Sequence, residues 1–131
     1  MRKRFYSMLL MLLTMAANAS AQDTWTVAGS SVTLFGSTWT PGNVSNDMTS
    51  ADGITYTLTK NDVFLLADIT YEYKVVKNHD WSESYGKDGG VENQTFMVAK
   101  DGNYDVVFTF NAETKSVSET CTERAEETFF V

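Results

Sequence analysis

The chain has 131 residues, 43% of them hydrophobic, and its formal net charge at pH 7 is −7. This length and composition suit one domain with a modest hydrophobic core and exclude a second domain. The negative charge repels phosphate backbones and anionic lipid surfaces, so nucleic acid and membranes are poor partners and neutral ligands such as sugars remain.

The first 21 residues have the pattern of a secretory signal peptide. The basic run Arg2 to Arg4 precedes an apolar run from Met8 to Met15, and Ala19-Ser20-Ala21 supplies a small-x-small cleavage site. The apolar run is shorter than the ~20 residues of a membrane-spanning helix. We therefore predict an exported protein that is periplasmic, cell-surface associated or secreted. Cleavage after Ala21 changes the net charge from −7 to −10, because three basic residues and no acidic residue are lost.

Short windows with an apolar residue at every second position follow along the mature chain. This period is typical of half-buried β-strands, and turn-forming pairs such as Asp52-Gly53 and Asp101-Gly102 separate the windows. We predict an all-β fold, an antiparallel immunoglobulin-like β-sandwich of seven or eight strands over residues 22–119. The windows contain Trp25 and Val27; Val32 and Leu34; Ile54, Tyr56 and Leu58; Ile69, Tyr71, Tyr73 and Val75; Phe96 and Val98; and Tyr104, Val106, Phe108 and Phe110.

Two longer segments complete this organisation. The segment from Phe35 to Asp52 favours a sandwich over a closed barrel, because its length suits a crossover between sheets. Residues 120–131, which end in Phe129-Phe130-Val131, have no evident strand partner and are predicted to be a C-terminal tail or a short last element. Cys121 is the only cysteine, so it can remain a free thiol in that tail or pair between chains.

The stretch from Tyr71 to Asn93 carries the strongest functional signal. Strand parity places Tyr71, Tyr73 and Val75 on one face and Lys74 on the other, and the same rule places Asn93 outward on the next strand. We expect Lys74 and Asn93 to share one open face of a sheet, with Trp81 in the polar loop between them.

These residue types match the chemistry of a sugar ring. A sugar has an apolar C–H face and a rim of hydroxyl groups, so its site needs a flat aromatic surface edged by hydrogen-bonding groups. Trp81 can supply the surface, with Trp39 as a second aromatic plate and Tyr85 as a third, while Lys74 and Asn93 supply the polar edge. An indole folded back as a lid on the sandwich is the alternative for Trp81.

The residues from Trp25 to Thr120 resemble the small starch- and glycogen-binding sandwich domains of pullulanases and branching enzymes. Similar domains include the isoamylase N-terminal-like domains, the glycogen-binding domain of AMP-activated kinase β-subunits and the SusE/SusF-type starch-binding proteins. The pullulanase accessory module is the most similar, through EYKVVKNHDWSESYGKDGG from Glu72, DGNYDVVFTFNAET from Asp101, and the early V-x-G-S from Val27.

This resemblance implies roles for four residues and a ligand. In the glycogen-binding relatives two tryptophans, a lysine and an asparagine hold the sugar, and these roles would fall on Trp39, Trp81, Lys74 and Asn93. The resemblance implies an α-glucan polysaccharide or oligosaccharide as the ligand, with other exported glycan-utilisation proteins as further partners. Many members of this fold have lost sugar binding, so a structural or protein-interaction domain is the competing hypothesis.

Catalysis and metal binding find little support in the sequence. The only histidine, His79, lies in the same loop as Trp81, and the carboxylates of Asp80, Glu83 and Asp88 share one water-exposed loop that offers no means of separating their pKa values. One histidine and one distant cysteine do not make a zinc site. We therefore predict no catalytic residue, no metal and no cofactor.

Overall fold

Seven strands, one short α-helix and two 3-10 turns build residues 22–125, the part of the chain that this computed structural model describes. The predicted signal peptide at residues 1–21 and the Phe129-Phe130-Val131 end lie outside these described residues. The elements are β1 (Trp25–Gly29), α1 (Val32–Phe35), a 3-10 turn (Val44–Asn46), β2 (Thr55–Leu65), β3 (Tyr71–Lys77), β4 (Ser84–Tyr85), a 3-10 turn (Lys87–Gly89), β5 (Gln94–Phe96), β6 (Gly102–Asn111) and β7 (Val117–Glu123).

The strands form two antiparallel sheets, which confirms the predicted sandwich. In sheet A, β3 pairs with β1 on one edge and with both β4 and β5 on the other edge. Sheet B has the order β2-β6-β7. The segment from Phe35 to Asp52 connects β1 and α1 to the first strand of sheet B, as expected of a crossover.

Aromatic and β-branched side chains from both sheets fill the space between them. Tyr73 and Val75 of sheet A and Phe108 and Phe110 of sheet B are completely buried. The Phe108 ring meets the Tyr73 ring edge-on at 4.8 Å, and the Trp25 ring lies 4.5 Å from that of Phe110. Burying aromatic side chains of this size stabilises a fold by roughly 2–3 kcal/mol each. The alternating pattern of the sequence thus encodes one inward face on each sheet.

The prediction of a strand at Val32 and Leu34 was wrong, since these residues lie in the one-turn helix α1. Ser31 caps its start by accepting a hydrogen bond from the Leu34 amide at 3.1 Å, and Gly36 ends it in the left-handed conformation at φ 71°. These two caps enclose only four residues, and they override the two-residue period. The helix turns Leu34 and Phe35 into the core and leaves Val32 exposed.

Gly29, the glycine of the early V-x-G-S motif, allows α1 to pack closely on sheet A. A Cβ atom at this position would lie 2.4 Å from the Phe35 ring and 2.5 Å from the carbonyl oxygen of Glu72. Only a residue without a side chain fits between these groups. The motif glycine is therefore explained by packing.

Strand β7 extends to Glu123. Residues 120–123, at the start of the segment predicted to be a C-terminal tail, therefore pair with β6. Cys121 lies opposite Val106 in this ladder and packs against the core, in a strand and not in a frayed tail. Burial, followed by the charge of Glu119, raises the pKa of its thiol to about 11. The thiol is therefore a poor nucleophile near neutral pH.

A hydrogen bond from the Tyr73 hydroxyl joins the two sheets. It is donated to Oε1 of Glu119 on β7 over 2.9 Å, and Gln94 on β5 donates to the same oxygen at 3.0 Å. Burial, and then the nearby Glu119 carboxylate, raises the pKa of Tyr73 far above its ordinary value of 10.0. The native state therefore holds the protonated phenol more firmly than the unfolded chain does.

We expect Tyr73→Phe to lower the free energy of unfolding by about 1–3 kcal/mol, because the Glu119 carboxylate loses a buried donor. Wild-type stability should also fall as the pH rises above about 10, since the unfolded tyrosine ionises there and the native one does not. Urea denaturation between pH 7 and pH 11 measures both effects. An equally steep alkaline decline in Tyr73→Phe would contradict the assignment.

Candidate functional site

The outward side of sheet A carries two of the residues that the sequence singled out, Lys74 and Asn93. Lys74 lies between Tyr73 and Val75, which point into the core, so its side chain points outward. Three further residues point outward by the same parity, yet all are at most 1% exposed: Thr26, Ala28 and Val76. Ala28 and Val76 do not belong to the core between the sheets. This face is therefore not fully open, in contrast to the open face expected from the sequence.

Lys74 and Asn93 lie close together on this face. Asn93 directly precedes Gln94, which pairs with Tyr73, and its Nδ2 donates to Oε1 of Glu72 at 3.1 Å. Lys74 Nζ donates to the carbonyl oxygen of Val91 over 2.7 Å. The ammonium group retains two further donor hydrogens, and the Asn93 carboxamide oxygen has no hydrogen bond within residues 22–125. Lys74 can therefore donate further hydrogen bonds to a ligand, and the Asn93 oxygen can accept one.

Trp39 and Trp81, which we call the indole pair, come together although 41 residues separate them in the chain. Their ring centroids are 6.2 Å apart and the ring planes are inclined by 49°. Trp81 is 42% exposed, Trp39 is half-buried, and neither ring belongs to the core between the sheets. Trp81 thus contacts Trp39, the residue predicted to be the second aromatic plate.

The backbone holds Trp39 in an unusual conformation beside β1. Its φ is 47°, a left-handed value that large side chains rarely adopt, and its amide donates to the Gly29 carbonyl oxygen at 2.8 Å. Such a residue costs of order 1–3 kcal/mol and persists only where its surroundings fix it. Because Gly29 pairs with Tyr73 on the next strand, the Trp39 backbone lies about two strand spacings, or ~10 Å, from that of Lys74.

Trp81 lies at the tip of a tight reversal after β3. Asn78 and His79 both have positive φ, of 53° and 59°, and the Asp80 amide closes the turn on the Lys77 carbonyl oxygen at 3.2 Å. Asp80 then accepts a hydrogen bond from the Ser82 amide over 2.9 Å. This ordered turn brings the indole back toward the sheet, where it contacts Trp39.

Tyr85 does not join the other four predicted residues. It pairs with Val75, so it shares the inward face, and its ring lies 6.0 Å from Trp25 and 5.9 Å from Phe110. Its hydroxyl donates to Glu83, and this bond lowers the pKa of the Glu83 carboxyl and raises that of the Tyr85 phenol. Tyr85 supports the core below the site and offers no third plate.

Comparison with known protein families identifies the family of this chain. The family model described as "Pullulanase X25 domain" matches residues 24–117. The chain belongs to the pullulanase X25 domain family. This confirms the resemblance to pullulanase modules drawn from the sequence, and it makes the chain a relative of an accessory module of carbohydrate-active proteins.

A solved structure shares the fold of this X25 domain. Pullulanase from Bacillus acidopullulyticus superposes with a TM-score of 0.62 and 24% sequence identity. The match covers 76% of this chain and only 12% of that pullulanase chain. No match was found among curated proteins.

A glycine in the sequence motif shared with pullulanase modules shapes the loop that follows β4. Gly86, of the Tyr-Gly pair in the motif, is buried, and its amide bonds to the Gly90 carbonyl oxygen at 2.8 Å. A Cβ atom on Gly86 would lie 1.8 Å from the carbonyl oxygen of Glu92. This close approach folds residues 86–93 back on themselves and sets the positions of the Val91 carbonyl and Asn93.

One arrangement resembles a catalytic constellation but has the wrong connectivity. His79 Nε2 lies 2.8 Å from Oδ1 of Asp47, and the Thr26 hydroxyl donates to the same oxygen. In a catalytic triad the histidine contacts the nucleophile, whereas here the hydroxyl contacts the carboxylate. No local sequence pattern points to Asp47, because its partner lies 32 positions away in a different loop.

The described residues offer no other obvious chemistry. Within residues 22–125 no three histidine, cysteine or acidic side chains are grouped so that they could hold a metal ion. No helix in that range is long and apolar enough to cross a membrane. Concave pockets lie elsewhere, for example among Asp62, Lys100 and Arg124 and among Ser31, Leu66 and Ile69.

We expect Gly86→Ala to destabilise the fold by about 1–3 kcal/mol, because the new methyl group overlaps the Glu92 carbonyl and forces the 86–93 loop to move. Amide resonances of residues 91–93 should shift as the Lys74 and Asn93 hydrogen bonds rearrange. Gly42→Ala is the matched control, since a Cβ there meets open space. Equal stability of the two variants in urea would show that the close approach is unimportant.

Proposed function

We propose that this X25 domain is an exported, non-catalytic module that binds α-glucan chains of the starch or glycogen type on the indole pair. The observation that carries the proposal is the contact between Trp39 and Trp81 at a partly exposed surface of sheet A. Family membership supports a carbohydrate ligand, because the matched module is a pullulanase domain.

The arrangement of polar groups supports a sugar ligand. Trp39, Lys74 and Asn93 follow one another across sheet A, on the edge of β1, on β3 and at the start of β5. A chain laid over the indoles would extend toward the two remaining ammonium hydrogens of Lys74 and toward the Asn93 carboxamide oxygen, which has no hydrogen bond among the described residues. These groups match the hydroxyl rim of a sugar ring, whose C–H face packs on the indoles.

The inclination of the indoles favours a curved glucan. A flat β-linked chain stacks best on coplanar rings, whereas an α-linked chain bends between successive sugars and suits rings inclined by 49°. The strained φ of Trp39 is consistent with a position that serves binding, because such strain is concentrated at ligand sites.

The expected affinity is weak. About 100 Å² of apolar contact per indole, at roughly 25 cal/mol per Å², contributes ~2.5 kcal/mol each. Association and ordering cost several kcal/mol and offset most of this ~5 kcal/mol, so we expect a dissociation constant of about 1 mM or weaker unless the hydrogen bonds of Lys74 and Asn93 add to it. Tight retention on starch would then depend on several modules acting together.

The competing function is a structural or protein-interaction domain, and one observation favours it. Phe64, Leu66 and Ile69 are 50%, 42% and 42% exposed, and they line one concave pocket. Apolar side chains grouped at a surface are typical of protein contacts. This group lies among β2 and the turn that follows it, so it can be tested separately from the indole pair.

Affinity electrophoresis distinguishes the two functions. We expect amylopectin in the gel to retard the wild-type protein and Trp81→Ala to abolish the retardation, since one of the two aromatic surfaces is lost. Phe64→Ala is the matched control, because it removes an aromatic ring of similar exposure away from the indole pair. A gel that contains a soluble β-glucan should retard neither the wild-type protein nor the two variants.

Two results would contradict the proposal. One is unchanged mobility of the wild-type protein in amylopectin, which would favour the structural role. The other is equal retardation of wild type and folded Trp81→Ala, which would place any sugar site elsewhere.

A further inference from the structure

We propose that His79 and Asp47 position the indole pair, by fixing the turn that carries Trp81 to the loop that carries Trp39. The inference deepens the proposed glucan-binding function and rests on it for its purpose. It concerns two side chains that neither the sugar chemistry nor the family match assigns a role. His79 is also the only histidine in the chain.

Asp47 is a fixed point on the edge of β1. It forms an isolated β-bridge with Thr26, accepts the Thr26 hydroxyl on Oδ1, and is followed by Met48, whose amide donates to the Trp25 carbonyl oxygen at 2.8 Å. Residues 37–48 are thus attached to β1 at this end and, through the Trp39 amide, at Gly29. Rotation of the Asp47 carboxylate would break its hydrogen bond with the Thr26 hydroxyl.

The turn that carries Trp81 projects beyond the end of β3. Its base is held where Asn78 Oδ1 accepts a hydrogen bond from the Thr24 amide at 2.8 Å. Among the hydrogen bonds of residues 22–125, the 2.8 Å contact between His79 Nε2 and Asp47 is the only one that joins residues 78–83 to residues 37–48. The position of one indole relative to the other therefore depends on this contact.

The charged groups near the contact between His79 and Asp47 have other partners. Asp80 follows His79 directly and is occupied with the Ser82 amide. Lys77, two positions earlier, lies 3.6 Å from carboxylate oxygens of both Asp23 and Glu83. Lys60 reaches the same loop as Asp47, through the Ser45 carbonyl oxygen at 3.4 Å. None of these groups replaces the bond that His79 makes.

Exciton coupling between the two indoles, seen by circular dichroism without sugar, reports directly on their relative position. We expect the couplet of the wild-type protein to be lost in His79→Ala and in Asp47→Ala, each of which removes one partner of the bond, and to return in His79→Gln, whose amide nitrogen can replace His79 Nε2 as the donor to Asp47 Oδ1. Trp39→Phe defines the signal without coupling. Asp80→Asn is the matched control, because it removes a carboxylate next to His79 but retains an oxygen for the Ser82 amide.

Amylopectin binding by the same variants gives a second measurement. His79→Ala should weaken it by about threefold to tenfold, the range set by one hydrogen bond of ordinary strength. His79→Gln and Asp80→Asn should bind like wild type.

The two measurements fail independently. A couplet that persists unchanged in folded His79→Ala and Asp47→Ala overturns the positioning role, whatever the glucan result. Loss of the couplet in His79→Ala and Asp47→Ala, with recovery in His79→Gln, supports the positioning role even if the wild-type protein does not bind amylopectin. In that case only the proposed function fails. A couplet that is lost in His79→Ala and in His79→Gln alike also counts against the role, because the bond was restored without effect.

Discussion

The pairing of β1 with β3 is the constraint on which the rest of this structure depends. Val27 and Val75 lie opposite each other on its inward side and contribute to the core, while Thr26 and Val76 lie opposite each other on its outward side and are equally buried. Both faces of this strand pair are covered, so its register is firmly set. A shift by one residue would move every inward side chain of one strand to the outward face, and every outward side chain to the core. The loops on its outer side therefore start from fixed positions.

Those fixed positions determine the geometry of the site. The loop carrying Trp39 is attached to the outer edge of β1, and the turn carrying Trp81 extends from the end of β3. Trp39, Asn78 and His79 all adopt positive φ values, which local preferences alone disfavour. Contacts between the two segments offset this cost, so the aromatic surface is built by tertiary structure and not by local sequence.

The difference between what sequence predicts and what it misses has a physical basis. Two-residue alternation predicted the sandwich and the outward position of Lys74, because strand parity is a local rule. The same rule failed at Val32 and Leu34, where the Ser31 and Gly36 caps make a helical turn. Tyr85 was predicted to be a third plate from its aromatic side chain and its place near Trp81, but its direction depends on which residue of β3 it faces. Contacts between distant loops, such as that of Asp47 with His79, leave no local pattern to read.

The central claim is that a glucan chain rests on Trp39 and Trp81, and their indole N–H resonances test it most directly. The chain has three tryptophans, and Trp25, which is 3% exposed, serves as an internal control. Titration of ¹⁵N-labelled protein with a maltooligosaccharide should shift the signals of Trp39 and Trp81 in a saturable way and leave that of Trp25 in place. Three stationary indole signals at millimolar sugar, or a shift confined to Trp25, would contradict the account.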